Sequence, residues 1–395
     1  MEEHMKIQRS AGVLLHPTSL PGKFGIGDLG PNAYKFIDFL QSAGQNLWQV
    51  FPLGPTGYGD SPYQCFSAFA GNPLLISPEL LHADGLLNDE DLNNYPEFNP
   101  QEIDFGALIP VKNQLLRKAY SNFVAQGNKI EIIAADFIKS NNFWLDDFAL
   151  FMAAKQYHGG VLWTQWDHSI AFRKNIEEWK TKLKDEIDYQ IFLQFTFISQ
   201  WNNLKYYVHS KGIKIIGDLP IFIAYDSSDL WANKKFFTVN EDGSLKFVAG
   251  VPPDYFSATG QLWGNPLYKW KEMERDNFGW WKARVKQLLQ FVDIVRIDHF
   301  RGLDAYWEIA GNATTAINGR WVKAPGEKLF NEFKKEFGDL PIIAEDLGVI
   351  TDSVTELREK FELPGIKILQ FGLGENGDRK FLPHNHVKNC VLHTG

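Results

Sequence analysis

The chain has 395 residues, 44% of them hydrophobic, with a net charge of −8 at pH 7 and two cysteines. These values suit one large domain with insertions or two domains, and they argue against nucleic acid or an anionic membrane as a partner. Because Cys65 and Cys390 lack metal-ligand spacing and no segment resembles a secretory signal or a membrane span, we expect a cytoplasmic protein without a disulfide framework.

The chain opens with a strand–helix–strand pattern. Apolar segments at 12–20 and 46–53 predict two strands, and between them Pro31 begins an amphipathic helix that ends at Gly44. Such a unit implies a parallel sheet. Further apolar segments predict five more strands, at residues 213–223, 294–299, 341–345, 366–372 and 389–395.

Seven strands with crossover segments predict an α/β fold, a (β/α)8 or TIM barrel whose eighth strand is missing from this chain. The alternative is an open doubly wound sheet, but no GxGxxG motif follows the first strand. The expected division is strands one and two in 1–74, an inserted helical subdomain in 75–190, strand three in 191–228, a second insertion with a lid loop in 229–280, and strands four to seven in 281–395.

Two loops carry aromatic residues where ordinary linkers do not. Residues 54–73 are dense in Gly and Pro yet contain Tyr63, which suggests substrate contact; alternatively Tyr63 packs the loop against the core. Residues 248–268 predict a long irregular loop. Its aromatic residues Tyr255, Phe256 and Trp263 favour a lid or rim over a disordered segment.

Acidic side chains stand at the ends of three predicted strands, namely Asp218, Asp298 and Glu345. The ends of barrel strands converge on one mouth, where a pair of carboxylates suits glycoside chemistry. Arg296 shares a strand face with Asp298, so a structural ion pair is the alternative for these two residues. For Asp218 the alternative is a helix cap or turn residue.

In a retaining mechanism Asp298 is the nucleophile and Glu345 the acid/base, with carboxyl groups roughly 5–5.5 Å apart. We expect Arg296 to lower the pKa of Asp298, which must stay ionised. Burial or the charge of Asp346 is expected to keep Glu345 protonated at the start of the reaction.

Several motifs together resemble the amylomaltases, the 4-α-glucanotransferases of glycoside hydrolase family 77 in the α-amylase clan. The motifs are DIVRIDHFRG at 293–302, IIAEDLG at 342–348, GDLPIFIAYDSSDLW at 217–231, SPYQ at 61–64, and PPDYF with GQLWGNPLY within 252–268. The resemblance implies a barrel with helical insertions and transfer of α-1,4-glucan segments to another glucan or to glucose. It implies neither a metal ion nor an organic cofactor.

The resemblance also implies roles for single residues. Asp298 matches the nucleophile, Glu345 the acid/base, and Arg296 and His299 match groups around the reacting sugar. Further sugar contacts are implied for Ser61, Tyr63, Asp218, Asp254, Gln261, Trp263, Asn265 and Asp346. Three alternatives stay open: a hydrogen-bonded core histidine at 299, a core tryptophan at 263 and a turn residue at 265.

One departure concerns the third acid of the family, which follows in a Thr-His-Asp-Asn run where this chain stops at Gly395. We therefore expect a truncated chain whose own activity is in question. The competing functions are an α-amylase-like hydrolase that uses the same carboxylates with water, and a non-catalytic glucan-binding protein.

Overall fold

The structure, a computed structural model, describes residues 9–254, 257–374 and 377–395. The chain divides into two units. The first unit contains Ser10–Ile215 and Ile223–Lys234, and the second contains Arg9, Ile216–Phe222 and the described residues of Lys235–Gly395. The predicted domain boundaries at residues 74, 190, 228 and 280 stay predictions.

The first unit combines a short parallel strand pair with many helices. Strands β1 (Gly12–Leu14) and β2 (Leu47–Gln49) pair in parallel. The amide of Lys214, which begins β3 (Lys214–Leu219), donates to the Asn46 carbonyl at 2.9 Å. The helices are α1 (Pro31–Ser42), α2 (Pro78–Ala83), α3 (Asp89–Asn93), α4 (Phe105–Ala125), α5 (Ile130–Ile133), α6 (Ala135–Tyr157), α7 (His168–Ala171), α8 (Ile176–Lys182), α9 (Lys184–Ser210) and α10 (Ser228–Ala232).

Helix α9 holds the end of the 54–73 loop. The buried residues of this helix include Phe197, Trp201, Leu204 and Val208. The Phe197 ring lies so close to Gly71 that any side chain at position 71 would clash with it. The buried Gln194 amide accepts from the Gly71 amide at 2.8 Å and donates to its carbonyl at 2.9 Å. A buried amide side chain is costly unless it is bonded on both sides, and here the loop backbone satisfies it.

The second unit contains the end of β3 and the remaining strands and helices. The strands are β4 (Phe247–Val251), β5 (Gln261–Pro266), β6 (Ile294–Ile297), β7 (Ala305–Ala310), β8 (Gly319–Lys323), β9 (Ile342–Ala344), β10 (Gly365–Ile368) and β11 (Cys390–His393). The helices are α11 (Trp270–Arg275), α12 (Gly279–Phe291), α13 (Gly326–Phe337) and α14 (Asp352–Lys360).

Five parallel strands of the second unit follow the order β3-β6-β9-β10-β11. With β1 and β2 they are the seven strands predicted from the sequence, so the expectation of a parallel α/β barrel-type fold is confirmed. Val295, Ile297 and Ile343 in the central strands are almost fully buried. Strands that are covered on both faces lose the apolar–polar alternation, which explains their continuous apolar runs.

A second sheet of the same unit is antiparallel, in the order β5-β4-β7-β8. It corrects the prediction of a wholly irregular loop over 248–268, because residues 248–251 and 261–266 lie in strands β4 and β5, which residues 252–260 connect. Strand β4 also pairs with β7, so its backbone groups are bonded on both sides. Tyr255 and Phe256, expected in the lid, lie outside the described residues.

A capping box between Ser353 and Glu356, suggested by their spacing before a helix, is not formed. The residue that precedes α14 is Thr351, and the Ser353 hydroxyl instead donates to Asp304 at 2.9 Å. Among the described residues, no helix has the length and apolar content needed to cross a membrane.

We predict that Ile343→Ala destabilises the protein by about 2–5 kcal/mol, because the buried Ile343 side chain, 2% exposed, leaves a cavity in β9. Urea denaturation followed by tryptophan fluorescence measures the loss. Ile317→Ala is the matched control, since Ile317 is 49% exposed and its replacement should stay within about 0.5 kcal/mol of the parent. Equal losses in the two variants would contradict the burial assignment.

Candidate active site

Three predicted acids lie at the carboxyl ends of neighbouring parallel strands. Asp218 is near the end of β3, Asp298 follows β6 directly, and Glu345 follows β9 directly. The strand register pairs Asp218 with Arg296. The Glu345 amide donates to the carbonyl of Ile297, the residue before Asp298, at 3.0 Å. The sheet therefore brings all three acids to one edge, as the sequence indicated.

Arg296 binds two of these acids. Its Nη1 donates to both oxygens of Asp218 at 2.7 Å, and its Nη2 lies 3.0 Å from Oδ1 of Asp298. Asp218 is 3% exposed, so its charge needs this partner. The ion pair of Arg296 with Asp298 that the sequence left open is thus present, and Asp218 is a second, buried partner of Arg296 rather than a helix cap.

Glu345 is held by backbone amides on both carboxylate oxygens. The His299 amide donates to Oε2 at 2.7 Å, and the Leu347 amide donates to Oε1 at 2.9 Å. The carboxyl group is nearly buried. Two amide donors fix the orientation of the group without adding a charge to it.

The electrostatics separate the two central carboxyl groups. Burial, followed by the negative charge of Asp298, raises the pKa of Glu345 to about 7. Burial also raises the pKa of Asp298, and the Arg296 guanidinium opposes this effect. Arg296 therefore acts in the predicted direction, but burial outweighs it, which corrects the expected net lowering. Of these two carboxyl groups, Asp298 is the one in direct contact with the guanidinium, and this contact favours its charged form.

His299 has one imidazole nitrogen that makes no hydrogen bond with the residues that the structure describes. Its backbone adopts the left-handed conformation, φ 51° and ψ 51°, which directs its amide to Glu345. Its Nε2 is buried and has no hydrogen-bond partner among the described residues, which disagrees with the alternative of a hydrogen-bonded core histidine. Burial, with Arg301 nearby, lowers the pKa of His299 to about 4, so the ring is neutral at pH 7.

The β4–β5 hairpin places an aromatic residue beside this histidine. The Trp263 ring contacts His299 edge-to-face with centroids 4.8 Å apart, and its Nε1 donates to the Gln261 side chain at 3.0 Å. Trp263 is half-buried, as suits a residue at a cleft. Asn265 is buried inside β5, which corrects its alternative as a turn residue. Asp254 accepts from the Ser257 amide at 2.8 Å in the connecting loop.

Asp346 is engaged away from Glu345. Its Oδ1 accepts from the Ile366 amide at 2.7 Å, and its Oδ2 lies 3.3 Å from Nε of Arg358. Gly365 is required beside it, because a Cβ there would lie 2.5 Å from Oδ2. The charge that raises the pKa of Glu345 is that of Asp298, so the expected role of Asp346 in this shift is corrected. A sugar contact by Asp346 stays a prediction.

Ser61 and Tyr63 belong to the first unit. They lie in a loop whose ends pair at Thr56 and Cys65, and the Tyr63 amide donates to the Ser61 hydroxyl at 3.2 Å. The Tyr63 ring contacts Phe51 with centroids 6.2 Å apart. Their predicted contact with a sugar stays a prediction.

Two further residues, His393 and Arg301, could not be assigned a role from the sequence. Arg296 contributes, after burial, to a lowered pKa of His393 at the end of β11. Arg301 lies two residues after His299, and its guanidinium donates to the carbonyl of Val349, four residues after Glu345. The DHFRG run offered the only signal for Arg301, and its partner could not be inferred from spacing. Among the described residues, no three His, Cys, Asp or Glu side chains are grouped to hold a metal ion.

Comparisons with known proteins identify a family and several relatives of this chain. The model of the 4-alpha-glucanotransferase family, glycoside hydrolase family 77, matches residues 15–395. The 4-alpha-glucanotransferase of Clostridium butyricum is 49% identical over 96% of this chain and 78% of its own length. That of Thermus thermophilus is 48% identical over 99% of this chain and 78% of its own length. The amylomaltase of Streptococcus agalactiae, solved with acarbose, superposes with a TM-score of 0.94 at 40% identity, covering 98% of this chain and 79% of that one.

The raised pKa of Glu345 predicts a pH-dependent stability. An unfolded glutamate ionises near pH 4.3, so between about pH 4.5 and 7 the folded state retains a proton that the unfolded state has lost. Stability should therefore fall as pH rises through this window, by up to about 3 kcal/mol. Glu345→Gln should remove this dependence, so that urea denaturation shows a larger gain for the variant at pH 8 than at pH 5.

The control is Glu356→Gln, because Glu356 is exposed on α14. It should shift stability by the same small amount at both pH values. A pH-independent difference between Glu345→Gln and the parent would contradict the raised pKa.

Proposed function

This chain belongs to the 4-alpha-glucanotransferase family, glycoside hydrolase family 77, and we propose that Asp298 and Glu345 carry out the reaction of this family. The protein is a glycosyltransferase that acts on α-1,4-glucans. The proposal concerns which side chains perform each step. It depends most on one observation, namely that Glu345, whose pKa is raised to about 7, shares a strand edge with a second carboxyl group that contacts Arg296.

In the first step Asp298 attacks the anomeric carbon of the donor sugar. Glu345 gives its proton to the glycosidic oxygen of the leaving segment, and a covalent glucosyl–Asp298 intermediate forms. The 3.0 Å contact with Arg296 supports the ionised form of Asp298. The raised pKa of Glu345 keeps a useful fraction of it protonated near neutral pH.

In the second step the ionised Glu345 accepts a proton from the hydroxyl of an incoming sugar. That oxygen attacks the anomeric carbon, the bond to Asp298 breaks, and the α-configuration is retained after two inversions. Fixed amide donors on both Glu345 oxygens suit a group that must alternate between acid and base without moving. Carboxyl groups roughly 5–5.5 Å apart are expected for this mechanism.

Two neighbouring side chains are proposed to bind the sugar. His299 is neutral and offers a buried Nε2 to a sugar hydroxyl. Trp263 offers a half-buried aromatic ring at its side, and such rings stack on the apolar faces of sugars.

We assign maltodextrin, starch or glycogen as donors, and another glucan or glucose as acceptors. We propose a reducing, cytoplasmic location, since Cys65 and Cys390 are thiols rather than a disulfide.

A hydrolase with the same carboxylates is the competing function. Incubation with maltotriose separates the two, since transfer must give glucose together with longer maltodextrins. We expect chromatography to resolve maltotetraose and longer products while total reducing ends stay nearly constant. A steady rise in reducing ends without longer products would instead assign hydrolysis.

Substitution of the two acids tests their roles. We expect Asp298→Asn and Glu345→Gln each to lower turnover of maltotriose by several orders of magnitude, while Glu356→Gln stays near the parent. The two variants differ with an activated donor such as an α-maltosyl fluoride, whose leaving group needs no proton. Glu345→Gln should then accumulate a maltosyl ester on Asp298, visible by mass spectrometry of its peptides.

Asp298→Asn should form no such ester. Near-normal turnover by either variant, or an ester on another residue, would refute the assignment. Circular dichroism confirms that each variant is folded before its activity is compared.

A further inference from the structure

Three consecutive residues after β6 and Asp298 hold the turn that carries Glu345. The His299 amide donates to the Glu345 carboxylate at 2.7 Å, and the Phe300 amide donates to its carbonyl at 3.1 Å. The Arg301 guanidinium then donates to the carbonyl of Val349, four residues further on. The segment is therefore held at both ends, twice by amides and once by a side chain. We name residues 345–349 the Glu345 turn.

Within the part of the chain that the structure describes, Arg301 makes this contact without a close ion pair, and Asp304, which binds Lys323, acts on it only at longer range. Arg301 is 6% exposed, its Nε has no hydrogen-bond partner, and no carboxylate lies within ion-pair distance among the described residues. Its guanidinium stacks instead on the ring of Trp321, with 3.8 Å between the guanidinium carbon and the ring centroid. A buried cation of this kind depends on its carbonyl and its aromatic face, so its position is set by both.

Trp321 is itself fixed by the antiparallel sheet. Trp307 stands opposite it on the neighbouring strand, with ring centroids 5.1 Å apart and an edge-to-face angle. The Trp307 indole donates to the Ala316 carbonyl at 2.9 Å, and the Ala316 amide donates to the Thr259 carbonyl at 3.1 Å. A Cβ at Gly260 would lie 2.9 Å from that of Ala316, so the loop packs closely there.

We propose that Arg301 is a positioning residue for Glu345, held against the antiparallel sheet by Trp321. The guanidinium joins two parts of the second unit, the Glu345 turn and the sheet that carries Trp263. It touches neither the sugar nor the reacting atoms in this assignment. The inference rests on the proposed roles of Asp298 and Glu345, and it adds a residue on which their geometry depends.

The first test is Arg301→Met, which keeps the length of the side chain and removes its donors and charge. We expect kcat for maltotriose disproportionation to fall roughly tenfold to a hundredfold, because small displacements of a catalytic group are costly. The KM should stay within about threefold, since sugar contacts are kept. The hydrogen bonds that the backbone amides of His299 and Leu347 donate to Glu345 lower its pKa. Loosening them should raise this pKa and so move the alkaline limb of the kcat profile to higher pH.

Variants of Trp321, the aromatic partner of Arg301, separate a positioning role from non-specific destabilisation of the protein. Trp321→Leu removes the aromatic face and should change kcat and the pH profile in the same direction as Arg301→Met, whereas Trp321→Phe should stay near the parent. The double variant Arg301→Met/Trp321→Leu should be no slower than Arg301→Met alone, because both changes break one arrangement. Arg275→Met is the control, since the Arg275 side chain is 72% exposed on α11.

Thermal unfolding monitors the fold of every variant, and if Arg301→Met does not fold, Trp321→Leu decides. A kcat within twofold of the parent with an unchanged pH profile, or additive losses in the double variant, overturns the proposal. Trapping of the ester with α-maltosyl fluoride on Glu345→Gln tests separately whether the proposed catalytic roles of Asp298 and Glu345 are wrong. If no ester forms on Asp298 there, the proposed catalytic roles fall first, and the positioning role falls with them.

Discussion

The shared ion pair of Arg296 with Asp218 and Asp298 is the interaction on which the rest of the site depends. Asp218 is buried and Asp298 is half-buried at one strand edge, and without a cation these two carboxyl groups would be neutralised or displaced. Arginine suits the position because its planar fork binds Asp218 through one nitrogen and reaches Asp298 with another. The pairing of Asp218 with Arg296 across β3 and β6 sets this geometry. A shift of one residue would turn Arg296 to the opposite face, so register and chemistry are linked.

Asp298 and Glu345 lie at the same edge of the sheet but have different electrostatic environments. Burial raises the pKa of both Asp298 and Glu345, but only Asp298 contacts the guanidinium directly. Glu345 accepts from backbone amides, which orient it without supplying a full charge, and it experiences the negative charge of Asp298. The asymmetry therefore comes from which strand end each acid occupies. Pairs of acids whose environments separate their pKa values are the arrangement that acid/base chemistry requires.

The parallel strands could be predicted from the sequence because burial on both faces leaves continuous apolar runs, such as those around Val295 and Ile343. The antiparallel sheet could not. Its β4–β5 hairpin is short, rich in Gly and Pro, and stabilised by pairing with β7, which lies far away along the chain. Local patterns at Gly264 and Pro266 indicated a loop, and tertiary hydrogen bonds decided otherwise.

The same distinction applies to the site. The strand-end acids were predictable because chain position alone places Asp298 and Glu345 at neighbouring strand ends. The partner of Asp346 was not predictable, because adjacent residues at a strand end point to different sides. Asp346 therefore binds Arg358, while the charge of Asp298 acts on its neighbour Glu345. The charge that raises the pKa of Glu345 thus comes from the next strand and not from the next residue. Spacing along the sequence identifies which side chains reach the edge, but the pairing of strands determines which charges they meet there.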